Sequence, residues 1–181
     1  MLRRLLALLI MPIVGIVALV PAPKSWFYRE RRPTRLGRAV NRTWTWIAAA
    51  GLTPYSWPGQ PRGGTIALEV RGRKSGRAFQ NVITWVEHDG ERYFVSMLGD
   101  RVDWVRNVRA AGGRAAIRHG PLQYVRLEEV PVEQRAPILR AYLKRTRVST
   151  QEHLGGIAVD APDDAFAAIA PRHPAFRIVE L

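Results

Sequence analysis

"TIALEVRGRKSGRAFQNVITWVEHDGERYFVSML", Thr65–Leu98, carries the reading of the fold. "TIALEV" and "FQNVITWVEH" are rich in β-branched and aromatic residues, and "DG" at Asp89 turns the second run into a third, "RYFVSML". Three strands joined by tight turns imply antiparallel pairing. The strand, Gly-rich turn and helix that open a dinucleotide fold are not in this order here.

"RGRKSGR", Arg71–Arg77, joins the first two runs and packs four cationic side chains and two glycines into seven positions. Its glycines allow the positive-φ geometry in which successive N–H groups point at one anion, while Arg73, Lys74 and Arg77 add charge and forked donors. A phosphate or polycarboxylate fits that chemistry. A hairpin tip kept soluble by its cations fits the composition as well, and spacing does not decide between them. A P-loop is excluded, because it needs Gly immediately before its Lys-Ser and Arg73 stands there.

Beyond these strands, "VDWVRNVRAA" has helical spacing and ends at Gly112 and Gly113. On that helix Trp104, Val108 and Ala111 make an apolar stripe, with Asn107 at its edge in need of a polar partner. Trp104 and Asn107 read either as a ligand contact or as a core tryptophan beside a backbone-bonded amide. Ser96 and Gly99 stand at a strand end just before this helix, where N–H groups can receive an anion or a ring carbonyl. "RAAIRH" and "LQYVRLEEV" pair across "GP"; "VEQRAPILRAYLKR" and "PDDAFAAIA" read as helices, and "AFRIVEL" as a last strand. Upstream, Pro33–Ala50 reads as a helix with Leu36, Val40, Trp44 and Ile47 at helical spacing, followed by a Pro/Gly-rich loop. Many strands joined by short turns suit a small antiparallel barrel rather than a doubly wound sheet.

Composition limits the chemistry. With no Cys, disulfides, thiolate nucleophiles and Cys-ligated metals are excluded. His88, His119, His153 and His173 form no i, i+4 pair, so no metal site is expected, and no G-x-S-x-G elbow exists. The net charge of +13 is uneven: up to Arg77, 14 Lys/Arg face only Glu30 and Glu69. Aromatic residues are not interleaved with the cations as stacking platforms, so nucleic acid is not the expected partner.

Leu5–Val20, "LLALLIMPIVGIVALV", is an uncharged apolar run. Prolines flank Ala22, where signal cleavage would fall, which favours an uncleaved anchor over a signal peptide. The cations from Lys24 to Arg38 then keep the following domain at the cytoplasmic face of the membrane. A helix lying in the interface, with Trp26, Phe27 and Tyr28 at headgroup level, is the alternative. The expected organisation is residues 1–23 as membrane anchor or interfacial helix, 24–63 as basic linker, helix and loop, and 64–181 as the β-barrel cofactor domain.

"IALEVRGRKSGRAFQNVITW", "FVSML" and "DWVRNVRAAGG", in that order, resemble the deazaflavin-dependent nitroreductase and quinone reductase family, whose members use coenzyme F420. The likeness runs from about Leu52 to Leu181 and includes "VPVEQRAPILRAYL" and "HPAFRI". It implies a mainly β protein with flanking helices, a split β-barrel of the flavin-reductase-like type. It further implies that Arg73, Lys74, Ser75, Gly76 and Arg77 hold the phosphate and oligoglutamate tail of F420. Ser96, Met97 and Leu98, with Trp104 and Asn107, then neighbour the deazaflavin and its linker. Two departures stand out. Met97 and Leu98 follow Ser96 where nitroreductases have Lys-Gly-Gly, and a tyrosine-rich C-terminal segment is replaced by "GGIAVDAPDDAFAAIA". The expected activity is hydride transfer from reduced F420 to a lipophilic acceptor, a quinone. Unsaturated lipids or nitro compounds are alternative acceptors, and a non-catalytic deazaflavin, flavin or tetrapyrrole carrier is the alternative of another class.

Overall fold

The computed structural model describes residues 28–29, 32–53, 63–146 and 151–181. The apolar run expected to meet a membrane lies outside the described residues, among which no helix is long and apolar enough to cross one. The chain divides into two compact units, Met1–Thr43 and Trp44–Leu181. The first contains a two-rung antiparallel ladder, Tyr28 with Pro33 and Arg29 with Arg32. Helix α1, Arg35–Ala49, begins in the first unit and ends in the second.

Six strands of the second unit close into an antiparallel barrel. They are β1 (Gly63–Arg71), β2 (Ala78–His88), β3 (Glu91–Val95), β4 (Arg114–Arg118), β5 (Leu122–Glu129) and β6 (Ala175–Glu180). Their order around the wall is β1-β2-β3-β6-β5-β4, with β4 returning to β1. The "DG" between β2 and β3 forms the expected tight turn, with Asp89 at φ 50° and Gly90 at φ 78°, the left-handed pair a two-residue hairpin needs.

Strand alternation decides what is inside. Ile66, Leu68 and Val70 of β1 face Ile83 and Trp85 of β2, Val125 and Leu127 of β5, and Phe176 of β6 in one buried cluster. Helix α2, Asp103–Ala110, adds Val105 and Val108 to that cluster and so closes one end of the barrel. The opposite parity builds a second core outside the wall. There Val86, Val95 and Ala175 are covered by Ile138, Leu139 and Leu143 of α3 (Arg135–Thr146) and by Phe166 of α4 (Asp163–Ile169). Each such aliphatic side chain contributes about 1.5–3 kcal/mol by leaving water.

The topology positions the site. Because pairing is antiparallel throughout, β1, β3 and β5 all leave the barrel at the end where β2, β4 and β6 enter. The 72–77 loop, the 96–102 loop and α2 therefore gather at this one end.

Candidate functional site

The β1–β2 hairpin is closed by the Gly72 N–H donating to the Arg77 carbonyl (2.8 Å) and the Gly76 N–H donating to the Gly72 carbonyl (2.8 Å). Gly76 has φ 66°, which L side chains adopt only with strain, and this lets the four-residue tip turn back. Gly72 is needed for a different reason: a Cβ there would lie 2.4 Å from Cε2 of Phe79, whose ring covers the turn. The N–H groups of Lys74 and Ser75 have no hydrogen-bond partner among the described residues, and neither do the Lys74 ammonium and the Arg77 guanidinium. Glu69, further down β1, is engaged by Gln80 Nε2 at 2.8 Å. Lys74 and Arg77 thus present exposed cationic donors on one turn, a set whose chemistry suits an anion.

Arg73 behaves differently from its neighbours. Its backbone N–H donates to Asn107 Oδ1 (3.2 Å), and its Nη1 donates to both Asn107 Oδ1 (2.9 Å) and Asp103 Oδ1 (3.0 Å). Asn107, 4% exposed, thus finds the polar partner its position demands in the hairpin, and both lone pairs of its oxygen are taken. Trp104 packs inward against the barrel core, its ring edge-on to Phe176 at 5.5 Å.

Ser96 and Gly99 do not present the open N–H groups expected from the sequence. The Ser96 N–H donates to the Pro174 carbonyl (2.9 Å) and the Gly99 N–H to the Ser96 carbonyl (3.2 Å). The Ser96 hydroxyl donates to the Gly99 carbonyl (2.6 Å), and Ser96 is only 2% exposed. A serine followed by a tight turn satisfies itself locally. The N–H groups without partners among the described residues are those of Met97 and Leu98 in the same turn. His173 braces this turn from behind, with Nδ1 3.1 Å from the Ser96 carbonyl.

A third cluster escaped sequence reading. Glu129 follows Val125 and Leu127 on the inward row of β5, an unusual place for a carboxylate and the one signal that a partner was required. Arg109, at the C-terminal end of α2, grips it with two bonds (2.8 and 2.6 Å), and the buried Arg135 adds a third at 3.0 Å. The Arg109 hydrogen bonds hold the Glu129 carboxyl below the usual carboxylate range. Arg135 also donates to the carbonyls of Val130 (2.8 Å) and Ala170 (3.2 Å). Beside it, on the outer face of β3, β6 and β5, runs an open groove of about 510 Å³ lined by Asp89, Tyr93, Glu128, Glu133, Ile138 and Arg177.

A closed six-stranded antiparallel barrel with flanking helices, one of them over the barrel end beside the cationic hairpin, is the mainly β split-barrel architecture expected from the sequence. The model of the F420H(2)-dependent quinone reductase family matches residues 39–159, about two thirds of the chain. The chain belongs to that family: it is an F420-dependent oxidoreductase, and its cofactor is coenzyme F420. A search of curated proteins finds no significant match. Among solved structures, the chain is similar to an F420-H2 dependent reductase, FDR-A (TM-score 0.43, 16% identity, 63% of this chain and 92% of that one). It is also similar to an F420 reductase (0.38, 16%, 65% and 86%) and to a conserved hypothetical protein from Mycobacterium tuberculosis (0.39, 19%, 64% and 72%).

Proposed function

We propose that this protein transfers a hydride from reduced F420 to a quinone, and that the 72–77 hairpin holds the cofactor by its polyanionic tail. The observation that carries the reading is the tip itself: the Lys74 ammonium, the Arg77 guanidinium and the N–H groups of Lys74 and Ser75, all without partners among the described residues. A phosphate followed by glutamates needs that set of donors, whereas an apolar or cationic ligand does not. The fit thus rests on contiguous, exposed donors that one polyanion can reach together rather than on charge density alone.

When bound, the deazaflavin supplies the hydride. The chain's part is to bind, orient and exclude water. Lys74, Ser75 and Arg77 hold the tail; the free N–H groups of Met97 and Leu98 offer donors to a ring carbonyl; Trp104, Val105 and Val108 seal the end of the barrel against solvent. Titration of the protein with F420 tests the binding half. Lys74→Ala and Arg77→Ala should each weaken affinity while leaving the melting temperature in place, and unchanged affinity in both would reject the hairpin as the tail site.

A quinone is supported by the description of the matching family and by the apolar run Leu5–Val20 with the cations from Lys24 to Arg38, a combination suited to an anionic membrane surface where long-tailed quinones dissolve. Attachment would concentrate enzyme and acceptor in one layer at the cytoplasmic face. A chain starting at Lys24 should then match the full chain on short, water-soluble quinones and lag behind it on vesicle-embedded quinone. Equal rates on vesicles would argue for a soluble acceptor.

A further inference from the structure

Arg73 stands in the middle of the cationic turn, yet its side chain points at protein. Within the tip, Lys74 and Arg77 keep their donors free, while Arg73 gives its backbone N–H and Nη1 to Asn107 and Nη1 also to Asp103. A hairpin tip does not need this to fold, since the ladder down to Arg71–Ala78 and the two glycine hydrogen bonds already close it. The three bonds instead fix the tip against a separate element, 30 and 34 residues away in sequence. That element is α2, whose own position is set twice more: Val105 and Val108 are buried in the barrel core, and Arg109 is clamped to Glu129 of β5.

We propose that Arg73 is a positioning residue: it latches the tail-holding hairpin to α2, so that gripping the tail fixes where the ring lies against the end of the barrel. This rests on the reading of Lys74 and Arg77 as tail ligands. The chemistry explains why an arginine is used, for one planar guanidinium with several donors reaches two acceptors while its backbone N–H serves Asn107, and an ammonium on a flexible stem holds no such fixed geometry. Asp103 has a side chain 83% exposed and Arg73 one 25% exposed, so their ion pair sits in water and adds little to folding. What it adds is register between two parts that would otherwise move independently. Hydride transfer is sensitive to that register, because a misplacement of about 1 Å can slow a reaction by about 100-fold.

The test compares Arg73→Ala, Arg73→Lys, Asp103→Asn and Lys74→Ala in the full chain, measuring F420 affinity by titration, single-turnover hydride transfer to a water-soluble quinone, and hydrogen exchange of the unliganded protein. Lys74→Ala should weaken F420 binding by roughly tenfold to a hundredfold. Arg73→Ala should act on transfer instead: affinity within about threefold of wild type and transfer slower by about tenfold or more, with Arg73→Lys recovering part of the loss. Independently of any activity, Arg73→Ala should raise exchange of the 72–77 and 103–107 amides together while the melting temperature stays close to wild type. If Arg73→Ala does not fold, Asp103→Asn, on an exposed side chain, should show the same pattern more weakly. An affinity loss matching that of Lys74→Ala, with transfer intact and no coupled change in exchange, overturns the latch and makes Arg73 a tail ligand. Lys74→Ala and Arg77→Ala binding F420 as wild type does would instead reject the tail assignment itself, leaving the exchange result to decide the latch.

Discussion

Helix α2 is tied at both ends by arginine to carboxylate, and the two ties differ in almost everything else. At its start Arg73 meets Asp103, whose side chain is 83% exposed; at its finish Arg109 meets Glu129, 29% exposed and shared with Arg135 at 7%. In water an ion pair gains little, because both partners were already well solvated. Beside a desolvated guanidinium the same bond cannot be broken cheaply, since the orphaned charge stays buried. One tie therefore positions the hairpin proposed to hold the cofactor, and the other fastens the finish of the helix to β5.

The sharpest way to break this comparison is Glu129→Ala, which leaves Arg135 with only carbonyl partners. Stability should fall by about 2–3 kcal/mol, read from the midpoint of urea unfolding. A loss no larger than that of an exposed pair would erase the distinction. The next largest effect lies on the other side: Lys74→Ala and Arg77→Ala should each cost roughly 1.5–3 kcal/mol of F420 binding free energy in a titration and almost nothing in stability.

Acid should act on the Glu129 tie. Its folded-state carboxyl titrates below the unfolded value of about 4.3, so the unfolded chain takes up the proton first and the tie's contribution is intact at neutral pH. Stability from this source should begin to fall below about pH 4.5 and be lost as the pH drops through the folded-state value. Glu129→Gln should remove that part of the acid dependence in a pH series of unfolding curves. The smallest effect belongs to Asp103→Asn, expected to change stability by about 0.2–1 kcal/mol and to approach zero in high salt.

The elements were legible because their cues are local. Alternation in "TIALEV" and "FQNVITWVEH", "DG" at Asp89, and the paired glycines after "RNVRAA" gave strands, turn and helix stop within a few residues of those observed. The hairpin itself was legible for the same reason, its cations and glycines being contiguous. What lay beyond reading was which cation faces inward. Nothing in "RGRKSGR" distinguishes Arg73 from Arg77; the difference is made by Asp103 and Asn107, brought alongside only when α2 caps the barrel. His173 escaped likewise, since its partner Ser96 is 77 residues away. Ser96 was misjudged as an open strand end because a local serine turn and the Pro174 carbonyl, one near and one far, together satisfy it. The isolated Asn107 was informative at the level of need alone: an amide at the edge of an apolar stripe announces a partner without naming it.

The central claim is that the free cations of the hairpin recognise the tail of the cofactor. Its most direct test is the affinity of the full chain for F420 against that for the same deazaflavin lacking phosphate and glutamates, in wild type and in a Lys74→Ala, Arg77→Ala double variant, at low and high salt. The tailed cofactor should bind wild type at least about tenfold tighter, the preference should shrink with salt, and the double variant should lose most of it. Equal affinities for the two forms in wild type, or a preference that survives the double variant unchanged, would contradict the account.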